Sequence, residues 1–262
     1  MLDGAIIGST WILATDASTS LIKQMEKVGI PLNEYIQGKI YRGIVSGYNN
    51  AFYIDEIQKE ELITINANNN NIIKPLVVGD NVRKWRIEYK NKYLLYIYHG
   101  IDINQFPGVI EHLQLYRQQL ENRATKQNWY ELQQPQMQYI SSFEKPKIIY
   151  PEMAKESRFT IDNKGLFPNN KCFIIPSSEL YLLGVLNSNN VWKYLKNICS
   201  QIQGNTLELR SIYMSKIPIP IASTTEKETI SQLVQKCLDA KGVNCETWEK
   251  EIDERVAALY GL

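Results

Sequence analysis

Lys74, Arg83, Lys84, Arg86, Lys90 and Lys92 crowd one stretch of the chain, opposed within it only by Asp80 and Glu88. Trp85, Tyr89 and Tyr93 interleave with them. Cations for phosphates and planar rings for packing suit a nucleic-acid face. The same pattern also suits a solvated strand edge guarded by lysines. A second group, Asp162-Asn163-Lys164 with Glu152 upstream, loosely matches the signature of metal-dependent nucleases. There two carboxylates hold a metal and a lysine stabilises charge. The plainer reading is a strand ending in a turn, with Asp162 and Gly165 as turn formers. His99 and His112 have no Cys or carboxylate at metal-ligand spacing and read as structural or solvated. Cys172, Cys199, Cys237 and Cys245 form no Cys-x-x-Cys pair and read as reduced, mostly buried thiols. The scattered glycines form neither a Gly-x-Gly-x-x-Gly turn nor a phosphate-cradling loop ending in Lys-Ser/Thr. The chain therefore reads as carrying no catalytic, cofactor or metal centre of its own.

The 262 residues are 44% hydrophobic and carry a net charge of +1. That composition supports a sizeable core, in one large domain or two small lobes. It is not the strongly basic balance of a protein that holds nucleic acid by charge alone. Such a role must rest on local patches or on a partner domain. No basic-then-apolar leader follows Met1, and no apolar run approaches the roughly 20 residues of a membrane span. The expectation is a soluble, cytoplasmic protein. The apolar, strand-like run directly after Met1 reads as the cut end of a longer chain.

These groups need elements to position them. Leu21, Ile22, Met25 and Val28 share a helical face, so residues 20–28 read as a helix stopped by Gly29 and Pro31. Strands are expected at 40–45 and 51–54 around a tight turn at 46–50, and again at 93–98. Residues 68–71 read as a polar loop. Val109, Leu113, Tyr116 and Leu120 predict a helix over 108–123. Strands follow at 147–150, 158–161 and 172–175, then helices from Ser177 or Ser178 to 186 and over 190–199. Residues 217–220 are expected to be extended, because each proline pushes its predecessor out of the helical region. Two helices close the chain: Thr225 and Glu228 have capping-box spacing for the first, and Trp248, Ile252, Val256 and Leu259 form the apolar face of the second. The result is an α/β (α+β) fold of two small mixed sheet-and-helix lobes with C-terminal helices. Gln133-Gln134-Pro135-Gln136 is the linker-like break, dividing an N-terminal lobe, 1–135, from a C-terminal lobe, 136–262.

From 41 to 55 the chain reads Tyr41-Arg42-Gly43-Ile44-Val45-Ser46-Gly47-Tyr48-Asn49-Asn50-Ala51-Phe52-Tyr53-Ile54-Asp55. This resembles the opening of the C-terminal specificity domain of TaqI-like DNA methyltransferases and type IIG restriction–modification enzymes. That family opens on Gly-Ile-x-Thr-Gly-x-Asn-x-Ala-Phe; Ser46 stands here where threonine is usual, and Asn49 and Ala51-Phe52 match. Further pieces follow in the family's order: Ile73 to Trp85, Leu120-Glu121-Asn122-Arg123, Trp129 to Leu132, and Pro146 to Pro151. Phe159 to Phe173, Tyr181 to Ser188, Ile217 to Pro220 and the closing Leu259-Tyr260-Gly261-Leu262 complete the series. The resemblance covers nearly the whole chain. The family's Asn-Pro-Pro-Tyr motif, its S-adenosylmethionine loop and the type IIG nuclease do not occur here.

The resemblance implies a sequence-specific DNA target recognition domain of a bacterial N6-adenine DNA methyltransferase or restriction–modification enzyme. Its partners would be double-stranded DNA and the parent's methyltransferase domain. S-adenosylmethionine, and magnesium if the parent also cleaves DNA, would belong to the parent's other parts. The chain alone is expected neither to bind S-adenosylmethionine nor to methylate. The implied DNA-contacting residues are Arg42, Tyr48, Asn49, Lys74, Arg83, Lys84, Arg86, Lys164, Gln203 and Asn205. Lys74, Arg83, Lys84 and Arg86 would contact phosphates. Asn49 would read adenine and Arg42 guanine, each worth about 1–3 kcal/mol of discrimination. Asn49 also reads as a turn residue tolerating positive φ. Gln203-Gly204-Asn205-Thr206 is a polar turn in which Gly204 permits close backbone approach. The alternatives are a protein-interaction or assembly module, the specificity subunit of a type I restriction system, and a nuclease built on Asp162 and Lys164.

Overall fold

The computed structural model describes residues 16–202 and 204–262. The strand-like run after Met1 and the residue Gln203 lie outside them. At the centre is an antiparallel sheet in the order Thr160–Asp162, Lys147–Pro151, Cys172–Ile175, Tyr41–Arg42. Every residue of the two middle strands is buried. Strand geometry sends successive side chains to opposite faces. Ile149, Cys172 and Ile174 accordingly enter one apolar core, while Ile148, Tyr150, Phe173 and Ile175 enter another. Register keeps the two sets apart, with Ile149 opposite Ile174 and Tyr150 opposite Phe173. The Tyr150 and Phe173 rings stack at 5.6 Å.

The core on the first face is closed by a second sheet, in the order Phe167–Pro168, Ile73–Val77, Tyr93–Leu95, Tyr53–Ile54. Its first pair is parallel and the others antiparallel. The helix Glu56–Ile65 follows, started by a capping box between Asp55 and Gln58. Helices close the core on the other face: Asp16–Val28, Leu180–Asn187, Asn189–Ile198, Thr224–Asp239 and Glu246–Tyr260. Leu180–Asn187 is buried from Tyr181 onward, and Gly184 lets it approach Ile230 and Val234 of Thr224–Asp239 closely. Gly29–Pro31 pairs with Pro218–Pro220, joining distant parts of the chain beneath these helices. Helices and small mixed sheets thus make the α/β fold.

Local differences from the sequence reading have physical causes. Ala51 and Phe52 belong to a short helix, Asn49–Phe52, rather than a strand, because Ser46 hydrogen-bonds to Asn49 and turns the chain. The single helix expected over 108–123 is two, Val109–Gln114 and Arg117–Glu121. Between them Tyr116 leaves the helical region (φ −115°, ψ 11°) and packs its ring against His112 and Tyr48. Residues 67–71 form a 3-10 turn, in which buried Asn69 donates to the carbonyls of Leu62 and Pro107. The first terminal helix is capped by Ser223 accepting from the Glu226 amide, not by Thr225. All four cysteines are buried and free. Among the described residues, no helix is long and apolar enough to cross a membrane.

Candidate nucleic-acid interface

The glycine-bearing turn after Arg42 is built by close packing. A side chain at Gly43 would collide with the Asn169 and Pro168 carbonyls. Ile44 is buried and bonds to the Pro168 carbonyl. The Ser46 hydroxyl donates to Asn49 Oδ1 at 2.6 Å. Gly47 is the left-handed residue of this turn (φ +82°), and a Cβ there would strike Arg123 at 2.6 Å. Ala51 and Phe52 are fully buried beneath it. Arg123 locks the turn from below: it donates to the carbonyls of Leu120, Ser46, Glu131 and Trp129 at 2.8–3.0 Å. Burial lowers its guanidinium pKa, with Glu131 pulling the other way. Tyr48 is half-buried against Tyr116, at 6.0 Å between rings, and Asn49 is exposed.

Arg42 lies at the edge of the central sheet, beside this turn. Its guanidinium donates to the Asn170 carbonyl at 3.1 Å and pairs with Glu152 at 3.3 Å. Lys171 pairs with the same carboxylate at 3.0 Å. Glu152 is only 12% exposed, whereas Arg42 and Lys171 are 43% and 53% exposed, so one sunken anion steadies two outward cations. The Leu209 amide bonds to the Glu152 carbonyl and ties on a small sheet, in the order Gln201–Ile202, Thr206–Glu208, Met153–Ala154. Its exposed turn holds Gly204 (φ +76°) and Asn205 (φ +58°). Lys155 Nζ lies 3.6 Å from where a Gly204 Cβ would stand. Arg210, also exposed, pairs with Glu208 at 2.8 Å.

The basic stretch forms a hairpin, Val82–Arg83 with Arg86–Ile87, that docks on the terminal helices. Trp85 is buried at the hairpin tip with φ +67°, and its indole donates to Glu249. Lys84 pairs with Glu249 at 3.0 Å. Arg86 pairs with Glu88 at 2.9 Å and reaches the Lys241 carbonyl at 3.3 Å. Arg83 bonds to the carbonyls of Asp80 and Val82 and pairs with Glu88 at 3.3 Å. Hydrogen bonding from Arg86 holds the Glu88 carboxyl below its ordinary pKa, with the charges of Arg83, Arg86 and Lys90 adding to it. Lys74 sits 5.6 Å over the Phe167 ring and 3.7 Å from Glu144. The hairpin cations are thus held by partners of their own, while Arg42 is held by Glu152 and Asn170.

Asp162 is buried and pairs with buried Lys147, and it also accepts from the amides of Lys164 and Leu166. Burial lowers the Lys147 pKa, and the Asp162 charge opposes that shift. Lys164 is exposed. The Asp162 and Glu152 carboxylates are thus each committed to the chain's own cations. His99 bonds to the Leu132 carbonyl and His112 to the Ala51 carbonyl; burial lowers the His112 pKa against that bond. Lys155, Lys171 and Arg123 were not singled out from the sequence. Lys171 and Lys155 are isolated cations in separate turns; the fold brings Lys171 to the carboxylate that Arg42 also holds, and Lys155 to the turn at Gly204.

The sequence profile of the TaqI-like C-terminal specificity domain matches residues 74–219. The chain is 25% identical over 221 residues to Type II methyltransferase M.BanIII of Aneurinibacillus aneurinilyticus, covering 73% of this chain and 37% of that protein. It is 20% identical to Type II methyltransferase M.BstVI of Geobacillus stearothermophilus, covering 96% and 44%. The chain spans less than half the length of these curated relatives. Among solved structures, the type IIL restriction-modification enzyme MmeI in complex with DNA superposes with a TM-score of 0.65 at 14% identity, over 88% of this chain and 33% of that one. The type IIG restriction endonuclease BpuSI gives a TM-score of 0.53 at 14% identity, over 94% and 33%. At that identity the two structures speak for the fold.

Proposed function

The chain belongs to the TaqI-like C-terminal specificity domain family, and from that premise we propose that it reads the DNA target for a cytoplasmic, adenine-specific methyltransferase. The parent protein joins this domain to a methyltransferase half that takes S-adenosylmethionine, with or without an endonuclease. We assign that cofactor to the methyltransferase half. Two shallow clefts, along Glu56–Ile65 and around Arg123 and Glu131, are lined by helix and loop side chains without a glycine loop at a strand end. The methyltransferase half must extrude a base, and this domain grips the duplex and reads base edges.

The observation that carries the reading is the shared carboxylate of Glu152 with Arg42 and Lys171 projecting from it. Holding two cations in one fixed geometry at an exposed edge suits successive phosphate contacts, so we reassign Arg42 from guanine reading to the DNA backbone. Asn49, exposed at the start of its short helix, and Asn205, in the exposed turn of the small sheet, are assigned to base edges. For Lys84 and Arg86 we propose a framework role, since Glu249 and the Lys241 carbonyl already hold them. The test is the salt dependence of duplex binding by the full-length protein. Arg42→Ala and Lys171→Ala should each flatten the log–log slope by about one unit, whereas Lys84→Gln leaves it unchanged. Unchanged slopes for both edge variants would refute the assignment.

A further inference from the structure

The small sheet beside the Glu152 cluster carries an exposed apolar side chain that nothing in the fold requires. Register places Ile202 opposite Thr206, and Gln201 opposite Leu207. Leu207 and its neighbour Ala154 are buried, so the face bearing Thr206 and Glu208 points outward, and Ile202 shares it. Ile202 is 42% exposed. Met153, opposite Glu208, shares that outward face and is equally exposed, and cations flank the two. Lys155, Lys171, Arg42 and Arg210 lie along this edge, while the carboxylates there, Glu152 and Glu208, are both paired to them. A polyanion fits that cationic rim.

We propose that Gln201–Ile202 and Thr206–Glu208 enter the DNA major groove as a two-stranded ribbon, with Ile202 against a thymine 5-methyl group and Lys155 on the adjoining phosphate. This rests on the DNA-reading function given above. Two strands are about 4.8 Å apart, and the groove, about 12 Å wide, admits a ribbon of that size. A three-stranded sheet is too broad, so Met153–Ala154 stays at the rim and positions Lys155. Gly204 and Asn205 take left-handed backbone, the conformation favoured where paired strands reverse direction. In the groove the thymine methyl is the apolar feature that a branched aliphatic side chain can cover.

The experiment first enriches a preferred duplex from a randomised pool with the full-length protein. Each thymine of the enriched site is then replaced singly by deoxyuridine, which lacks only the methyl group. Binding should weaken about fourfold at one position, the equivalent of one buried methyl group. Ile202→Ala should bind the thymine and uracil duplexes equally, and Lys155→Gln should flatten the salt slope by about one unit. Ile202 is exposed, so the variant's urea midpoint should match that of the parent protein. Equal binding to every uracil duplex by the unaltered protein, or undiminished discrimination by Ile202→Ala, overturns the ribbon assignment and leaves the DNA-reading function standing. Failure to enrich any duplex overturns both.

Discussion

Arg123→Lys should be far more damaging than its conserved charge suggests. The guanidinium serves four backbone carbonyls, those of Leu120, Ser46, Glu131 and Trp129, in three directions at 2.8–3.0 Å. A lysine ammonium is a point donor on a flexible stem and can reach one or two of them. Hydrogen bonds from a charged donor contribute about 1.5–3 kcal/mol each. Arg123 is half-buried, so water replaces part of what is lost. Losing two bonds at the low end of that range costs about 3 kcal/mol. Urea unfolding of the 262-residue chain measures this directly. The turn at Gly47 rests on the Arg123 side chain, so the full-length protein should also discriminate less between cognate and singly mismatched duplexes. A destabilisation under about 0.5 kcal/mol, the range of an ordinary surface change, would refute the keystone role.

Gly184→Ala places a methyl group 2.8 Å from Ile230 Cγ2 and 2.9 Å from Val234 Cγ2, both stiff branched side chains. Overpacking of about 1–3 kcal/mol exceeds the helix-propensity gain of about 1 kcal/mol, so thermal unfolding should show a net loss. Burial by itself would raise the Glu131 pKa, but the Gly100 amide and Asn128 hold it below its ordinary value. Its stabilising contribution is therefore complete above about pH 4.3 and lost as the pH falls below that through the lowered folded value. Glu131→Gln should flatten the acid limb of a stability–pH curve measured by urea unfolding, and an unchanged limb would count against it.

The buried strands at 147–150 and 172–175 were legible because a continuous apolar run between turn residues has few other uses. The closing helices were legible from Trp248, Ile252 and Val256, which recur at helical spacing. The way the cores are assembled was not. The sheet that separates them has Tyr41–Arg42 at one edge and Thr160–Asp162 at the other, and periodicity along one segment says nothing about pairing with another. The break at Tyr116 was hidden for a similar reason. Its apolar spacing fits an unbroken helix, and the packing of its ring against Tyr48, far away in sequence, decides otherwise.

The interface shows the same limit from the side of charge. Six cations close in sequence look like an anion site, because sequence displays the cations and hides their partners. Glu249, which receives Lys84 and Trp85, lies 164 positions beyond the tryptophan. The partners convert much of the apparent patch into a clasp between hairpin and terminal helices. The reverse holds for Lys171, unremarkable beside Asn170 until the fold carries it to the carboxylate that Arg42 also holds. Local charge density in a near-neutral chain therefore points first to docking within the protein. Arg42 and Lys171, gathered from separate turns around the sunken Glu152, still keep 43% and 53% of their side-chain surface in solvent.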